Sequence, residues 1–281
     1  MPAAETIPEA TPSFWDAHPC DGQPDVSRRM SFRYAKEPWL PGLLDRIARH
    51  ASVLEVGCGQ GTDALYCCRR MRSGSRYVAV DCSAGSIVRA REGAAQFAAQ
   101  LAVKPQFRVG DGEHLDLPSE SFDCAASLGV LHHTPDIRAA VDELYRILKP
   151  DGVAYVTLYR RLSPKLLAAN MLRGLSRCVD AVARRDAVLY GLSRKLGSDH
   201  VLGTMLLECF GVPILNSYRR RQVADLFHRF DNVTIDPVGM GFSFRIAQRF
   251  DAGFNPLGAQ WLVVARKAPP VASRRPEDGP A

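Results

Sequence analysis

The 281-residue chain has no long hydrophobic run. Its longest apolar stretch, VLGTMLLECFGVPIL (201–215), is too short to cross a bilayer and carries Glu208 in its middle. The N-terminus, MPAAETIPEATPSFW, has neither a basic start nor an apolar core, so no secretory signal is read there. The eight cysteines, at 20, 58, 67, 68, 82, 124, 178 and 209, form no C-x-x-C pair, and several stand inside apolar runs. That usage argues against a disulfide framework and for a reducing, cytoplasmic setting, with Cys67 and Cys68 as helix packing. Histidines and carboxylates show no compact ligand spacing beyond the adjacent His132–His133 pair, so no metal is expected. There is no internal repeat and no appended RNA-binding motif. Nucleic acid is therefore not an expected partner.

What is present is an alternation. SVLEVG, RYVAVD, PQFRVGD, SFDCAASLG and GVAYVTLY read as strands. Helical stretches separate them: TDALYCCRRMR, SAGSIVRAREGAAQFAAQ and DIRAAVDELYRILKP, the last ended by Pro150. Upstream, Leu40, Leu43, Leu44 and Ile47 recur at helical spacing. Downstream, NSYRRRQVADLFHRF reads as an amphipathic helix with Val223, Leu226, Phe227 and Phe230 on one side, followed by NVTIDPVG and QWLVVARK as closing strands. The pattern specifies an α/β fold: a Rossmann-like, seven-stranded, mostly parallel sheet with helices on both faces. The expected organisation is a partly flexible segment over 1–30, a core over 31–160, a helical lid insertion over 161–216, the closing helix and strands over 217–267, and a disordered tail over 268–281.

In VLEVGCGQGTD (53–63), a strand runs into Gly57, Gly59 and Gly61 and then into a helix. Glycine lets backbone turn tightly and approach a ligand with no Cβ in the way. The third glycine follows the second by two positions, so the dinucleotide fingerprint G-x-G-x-x-G is absent. Glu55 would repel a phosphate and suits a ligand with a positive end. Asp81, at the end of the second strand, is placed to accept hydrogen bonds from a ribose.

With these residues on the page, the chain resembles the class I S-adenosylmethionine-dependent methyltransferases. The E-x-G-x-G-x-G loop, the acidic second-strand end, GDGEHLDLPSESFD, GVLHHTPD and LKPDG occur in the family's order and spacing. The resemblance implies S-adenosyl-L-methionine as cofactor. Gly57, Gly59 and Gly61 would pass under its methionine part, with Glu55 near the ammonium. Asp81 would hold the ribose, while Cys82 and Ser83 border the adenine. Asp111 would accept from the adenine amino group, with the Gly112 and Glu113 backbone beside the ring. Ser127 and Leu128 would lie next to the donor methyl. For Glu55, Cys82 and Ser83 a purely structural role, such as capping a helix, stays open. RYAKEP (33–38) is similar to a segment that some small-molecule members fold over the cofactor.

His132 and His133 follow the fourth strand, where the acceptor should enter, and imidazole titrates near neutrality. One of them is the expected catalytic base, or the pair only shapes the pocket; Tyr159 and His200 are the other candidates. Residues 160–216 hold nine basic and four acidic residues, a net of +5. Ala168, Met171, Leu172, Leu175, Val179 and Val182 fall on one helical face, expected to close over the site with help from Phe14 and Trp15; Arg173, Arg177 and Arg184 lie opposite. The basic face suits solvent, an apolar or anionic acceptor, or peripheral contact with a membrane. The leading expectation is methyl transfer to a hydroxyl of a small-molecule acceptor in specialised metabolism. N- or C-methylation of a small or lipid-like acceptor, RNA or protein methylation, and a non-catalytic cofactor-binding regulator are the alternatives.

Overall fold

A computed structural model describes residues 7–19, 25–183, 212–239 and 255–269. The strands are β1 (Ser52–Val56), β2 (Arg76–Asp81), β3 (Gln106–Val109), β4 (Phe122–Leu128), β5 (Leu148–Tyr159), β6 (Asn232–Val238) and β7 (Gln260–Arg266). They form one sheet in the order β3-β2-β1-β4-β5-β7-β6. β1, β2, β3, β4 and β5 pair in parallel, and β7 runs antiparallel between β5 and β6. The order reverses between β1 and β4, and open parallel sheets bind ligands at such a point, beyond the carboxyl ends of the strands.

The helices are α1 (Ile7–Ala17), α2 (Val26–Lys36), α3 (Leu40–Ile47), α4 (Thr62–Cys68), α5 (Ala84–Gln96), α6 (Ile137–Ile147), α7 (Pro164–Ala183) and α8 (Arg220–Leu226). β1 is buried along its whole length, so its run SVLEV is apolar on both faces, as a central parallel strand requires. On one face Leu40, Leu43, Leu44 and Ile47 of α3 pack with Cys67, Cys68, Ile87 and Phe107. On the other, Val141, Leu144 and Ile147 of α6 pack with Val223, Leu226, Phe227 and Phe230. All four leucine and isoleucine positions read as periodic in α3 are buried.

Three expectations are corrected. Pro150 does not end α6: the helix stops at Ile147, and Leu148–Tyr159 is a strand that begins two residues before the proline and turns through Asp151 at φ 63°. The closing amphipathic helix is shorter than its pattern; α8 ends at Leu226, although Phe227 and Phe230 still pack inward. On α7, Ala168, Met171 and Leu175 face outward and Leu172 is half-buried, while Lys165, Leu166 and Ala169 are buried. The phase of α7 is set at its start, where Ser163 takes the amide of Leu166 on its hydroxyl and that of Leu167 on its carbonyl, turning Leu166 inward. Arg173, expected in solvent, donates to the Val212 carbonyl at 3.0 Å. His200, Arg184 and the tail from 270 onward lie outside the described residues, as do the side chains of Val179 and Val182.

Within the first thirty residues, α1 and the start of α2 are helical. α1 is tied to the body by Asp16, whose carboxylate accepts from the Ser83 hydroxyl at 2.5 Å and the Gly85 amide at 2.9 Å.

Candidate active site

The glycine loop explains its own composition. Gly57, Gly59 and Gly61 have φ of 79°, 50° and 75°, a region that side-chain-bearing residues rarely adopt. A Cβ on Gly57 would stand 2.3 Å from the Val130 methyls, and one on Gly61 2.8 Å from the Phe107 ring. At Gly59 a Cβ would meet nothing within 4 Å, so this turn faces open space. The Gly57 and Cys58 amides donate to the Val80 carbonyl, and the Gly59 amide donates to Asp81 Oδ2 at 2.7 Å. Asp81 thus fixes the loop, with its other oxygen taking the Ser83 amide at 2.9 Å.

The loop forms one wall of a cavity of about 710 Å³, within the usual range of roughly 300–1,000 Å³ for small-molecule sites. Glu55, Gly57, Gly59, Asp81, Cys82, Asp111, Gly112, Glu113, Leu128 and His133 all line it. Gly61, Ser83, Ser127 and His132 do not. The Ser83 hydroxyl caps α5 through the Ser86 amide, and the Ser127 hydroxyl donates to the Val56 carbonyl at 3.0 Å.

Glu55 is buried and accepts from the Tyr77 hydroxyl at 2.9 Å. Burial, with the Asp63 charge beside it, pushes its carboxyl up to about 8. Asp63 itself is held by Arg33 in a two-point pair at 2.8 and 2.6 Å and by the Tyr34 hydroxyl at 3.2 Å. Asp81 is also raised by burial, against the two backbone amides that favour its charge. Burial and Asp81 push the Cys82 thiol up to about 12, which keeps it neutral. Asp111 is exposed and shapes its turn by accepting from the Glu113 amide at 2.8 Å. Ligand-capable atoms of Asp111, Glu113 and His114 lie within 4.8 Å of one another; Asp111 accepts from the Glu113 amide within its turn, and Glu113 accepts from the Asp136 amide at the start of α6, so both carboxylates have structural partners.

The other end of the cavity is built from Trp15, Lys36, Glu37, Trp39, His133, Thr157, Tyr159, Lys165 and Gln260. Of these, only Trp15, His133, Tyr159 and the 33–38 segment stand out in the sequence. His133 Nδ1 lies 2.6 Å from the Ile214 carbonyl and its ring 5.3 Å from that of Trp15. His132 is wholly buried, its ring centred 3.8 Å from that of Tyr159 at a tilt of 35°, with neither ring nitrogen in a well-formed hydrogen bond among the described residues and the Thr157 backbone close by. Burial, then His133 and Lys165, holds its pKa well below the ordinary imidazole value, so it is neutral. Glu37 is buried, accepts from the Trp39 indole at 2.5 Å, and is raised by burial against the nearby Lys36 and Lys165 charges.

The residues fit the cofactor that the sequence implies. The open side of Gly59 admits close backbone approach, Glu55 offers a carboxyl to a cationic end, and Asp81 offers one to hydroxyls. The family model described as a methyltransferase domain matches residues 54–156, which carry all of these groups. The chain belongs to the class I S-adenosylmethionine-dependent methyltransferases. It is similar to the malonyl-[acyl-carrier protein] O-methyltransferase of Salmonella typhimurium, 36% identical over 120 residues, covering 42% of this chain and 43% of that one. An uncharacterized protein carried in a Streptomyces fradiae transposon is 32% identical over 228 residues, 78% of this chain and 63% of that one. The magnesium protoporphyrin IX methyltransferase of Synechocystis, solved with S-adenosylhomocysteine bound, shares the fold at a TM-score of 0.54 and 12% identity, covering 91% of this chain and 92% of that one. The chain spans less than half the length of the Salmonella relative.

Proposed function

We propose that this methyltransferase methylates a hydroxyl oxygen of a small-molecule acceptor, with His133 as the base. The observation that carries the reading is the single cavity, which runs from the glycine loop and Asp81 to His133, Tyr159 and Glu37. S-adenosylmethionine, when bound, supplies a methyl group activated by the adjoining sulfonium. Glu55, Asp81 and the glycine loop hold the donor, and Leu128 and Val130 line the same cavity.

The Ile214 carbonyl can only accept, so in the neutral ring Nδ1 of His133 carries the proton and Nε2 is the basic nitrogen. That nitrogen takes the acceptor's hydroxyl proton as the oxygen attacks, a contribution typically worth about 10²–10⁴-fold. His132, neutral and packed between the His133 and Tyr159 rings, fixes the position of the base and exchanges no proton. Trp15, Trp39 and Tyr159 give the acceptor end an aromatic lining, and Glu37 offers it a buried carboxyl. That lining favours amine methylation as the second reading, because a carboxyl among aromatic rings also suits an ammonium.

The test is incubation with methyl-labelled S-adenosylmethionine and extracts fractionated by size and polarity. Label appearing in a small ether-type product supports O-methylation. Label in an amine or only in macromolecules contradicts it.

A further inference from the structure

Seven large apolar side chains are exposed among the described residues, and four belong to one short region: Leu162 at 61%, Leu167 at 52%, Met171 at 72% and Leu175 at 54%. The last three stand at i, i+4 and i+8 on α7, which puts them in one line along the helix. Soluble surfaces scatter such residues singly, and a continuous row marks a contact surface. The charge of this segment is mostly of one sign. From 160 to the end of α7 the chain holds five cations, Arg160, Arg161, Lys165, Arg173 and Arg177, and one acid, Asp180. Arg161, just before the helix, and Arg177, about 80° round α7 from Leu167 and so at the edge of its outward face, are exposed, while Arg160, Lys165 and Arg173 turn to the body of the protein. The opposite side of α7 anchors it, with Leu166 and Ala169 buried and Lys165 lining the cavity.

We propose that the outward row of α7, with Leu162 and the flanking Arg161 and Arg177, docks on an anionic lipid surface and lies along it. Leucine and methionine side chains would enter the boundary between headgroups and acyl chains, and the two guanidinium groups would meet lipid phosphates. No described helix is long and apolar enough to cross a membrane, which agrees with a helix that rests on the surface. Because α7 carries Lys165 on its inner side, docking would also bring the acceptor end of the cavity close to the bilayer.

The test is flotation of the full chain with vesicles of phosphatidylcholine alone and of equimolar phosphatidylcholine and phosphatidylglycerol. The proposal expects binding to the anionic vesicles, weaker binding to the neutral ones, and loss of about tenfold or more in partitioning for Met171→Asp/Leu175→Asp. Arg161→Glu/Arg177→Glu should lose about an order of magnitude on anionic vesicles only. All these side chains are exposed, so S-adenosylhomocysteine affinity should stay at the wild-type value and report intact folding. Wild type that ignores anionic vesicles, or variants that float as well as wild type, would overturn the proposal. A dimer in sedimentation velocity that Met171→Asp/Leu175→Asp dissociates, with no vesicle binding, would assign the face to a second copy and overturn it equally.

Discussion

Glu55 should make cofactor binding release a proton. Its carboxyl is buried on β1, held by the Tyr77 hydroxyl, faced by Asp63 and Arg33 across the loop and by Asp81 on β2, and pushed up to about 8. At pH 7 roughly ten molecules in eleven would therefore carry a neutral Glu55, and ionising it there costs about 1.4 kcal/mol. A ligand ammonium placed beside it reverses that preference. If only the ionised form binds well, apparent affinity for S-adenosylhomocysteine should rise about fiftyfold between pH 6 and pH 8, flattening above. Calorimetric titration at pH 7 in two buffers of different ionisation heat should show close to one proton released per ligand. Glu55→Gln should bind with a much shallower pH dependence and release almost none, which separates Glu55 from the ligand's own groups and from Asp81. Equal pH profiles for wild type and Glu55→Gln would refute the reasoning. The sign for the ligand-free protein is the reverse. A folded pKa above the unfolded one gives stability that is complete below the ordinary carboxylate range and is lost as pH rises through about 8, so Glu55→Gln should flatten melting temperature against pH over that window.

Asp81→Ala should weaken S-adenosylhomocysteine binding by roughly 1.5–3 kcal/mol, read by calorimetry, since it removes both ligand acceptors and the brace on Gly59. Gly57→Ala, which adds a clash with Val130 to its backbone strain, should lower melting temperature strongly and abolish binding, whereas Gly59→Ala, strained by its positive φ alone, should lower melting temperature less while still losing affinity. His133→Ala should cut kcat on the true acceptor about 10²-fold or more with cofactor affinity near normal; His132→Ala should lower thermal stability as well, because it empties a packed position beside Tyr159. Glu37→Gln should raise the acceptor KM and leave the S-adenosylhomocysteine Kd unchanged, which steady-state kinetics and calorimetry together resolve.

The cofactor half of the site was legible because its parts are close in sequence. Glu55 and the three glycines occupy seven positions with the helix directly behind them, and Asp81 ends the next strand. The acceptor half was mostly illegible, since Glu37 and Trp39 precede β1, Thr157 and Tyr159 end β5, Lys165 opens α7 and Gln260 starts β7. No local pattern links residues that only the sheet order brings together. Ser83 and Ser127 stood at the right strand ends, but hydroxyls there also satisfy backbone, and Ser83 capping α5 is the stronger demand. The face of α7 was misassigned because an apolar arc can be packed or exposed, and periodicity alone does not distinguish the two.

The central claim is that one cavity holds the methyl donor against the glycine loop and leaves the His133 end for the acceptor. A crystal structure with S-adenosylhomocysteine tests it most directly. The account predicts the ribose hydroxyls on Asp81, the amino group near Glu55 and the sulfur pointing toward His133 and Tyr159. Absence of binding at saturating ligand, or a ligand seated away from Gly59 and Asp81, would contradict it.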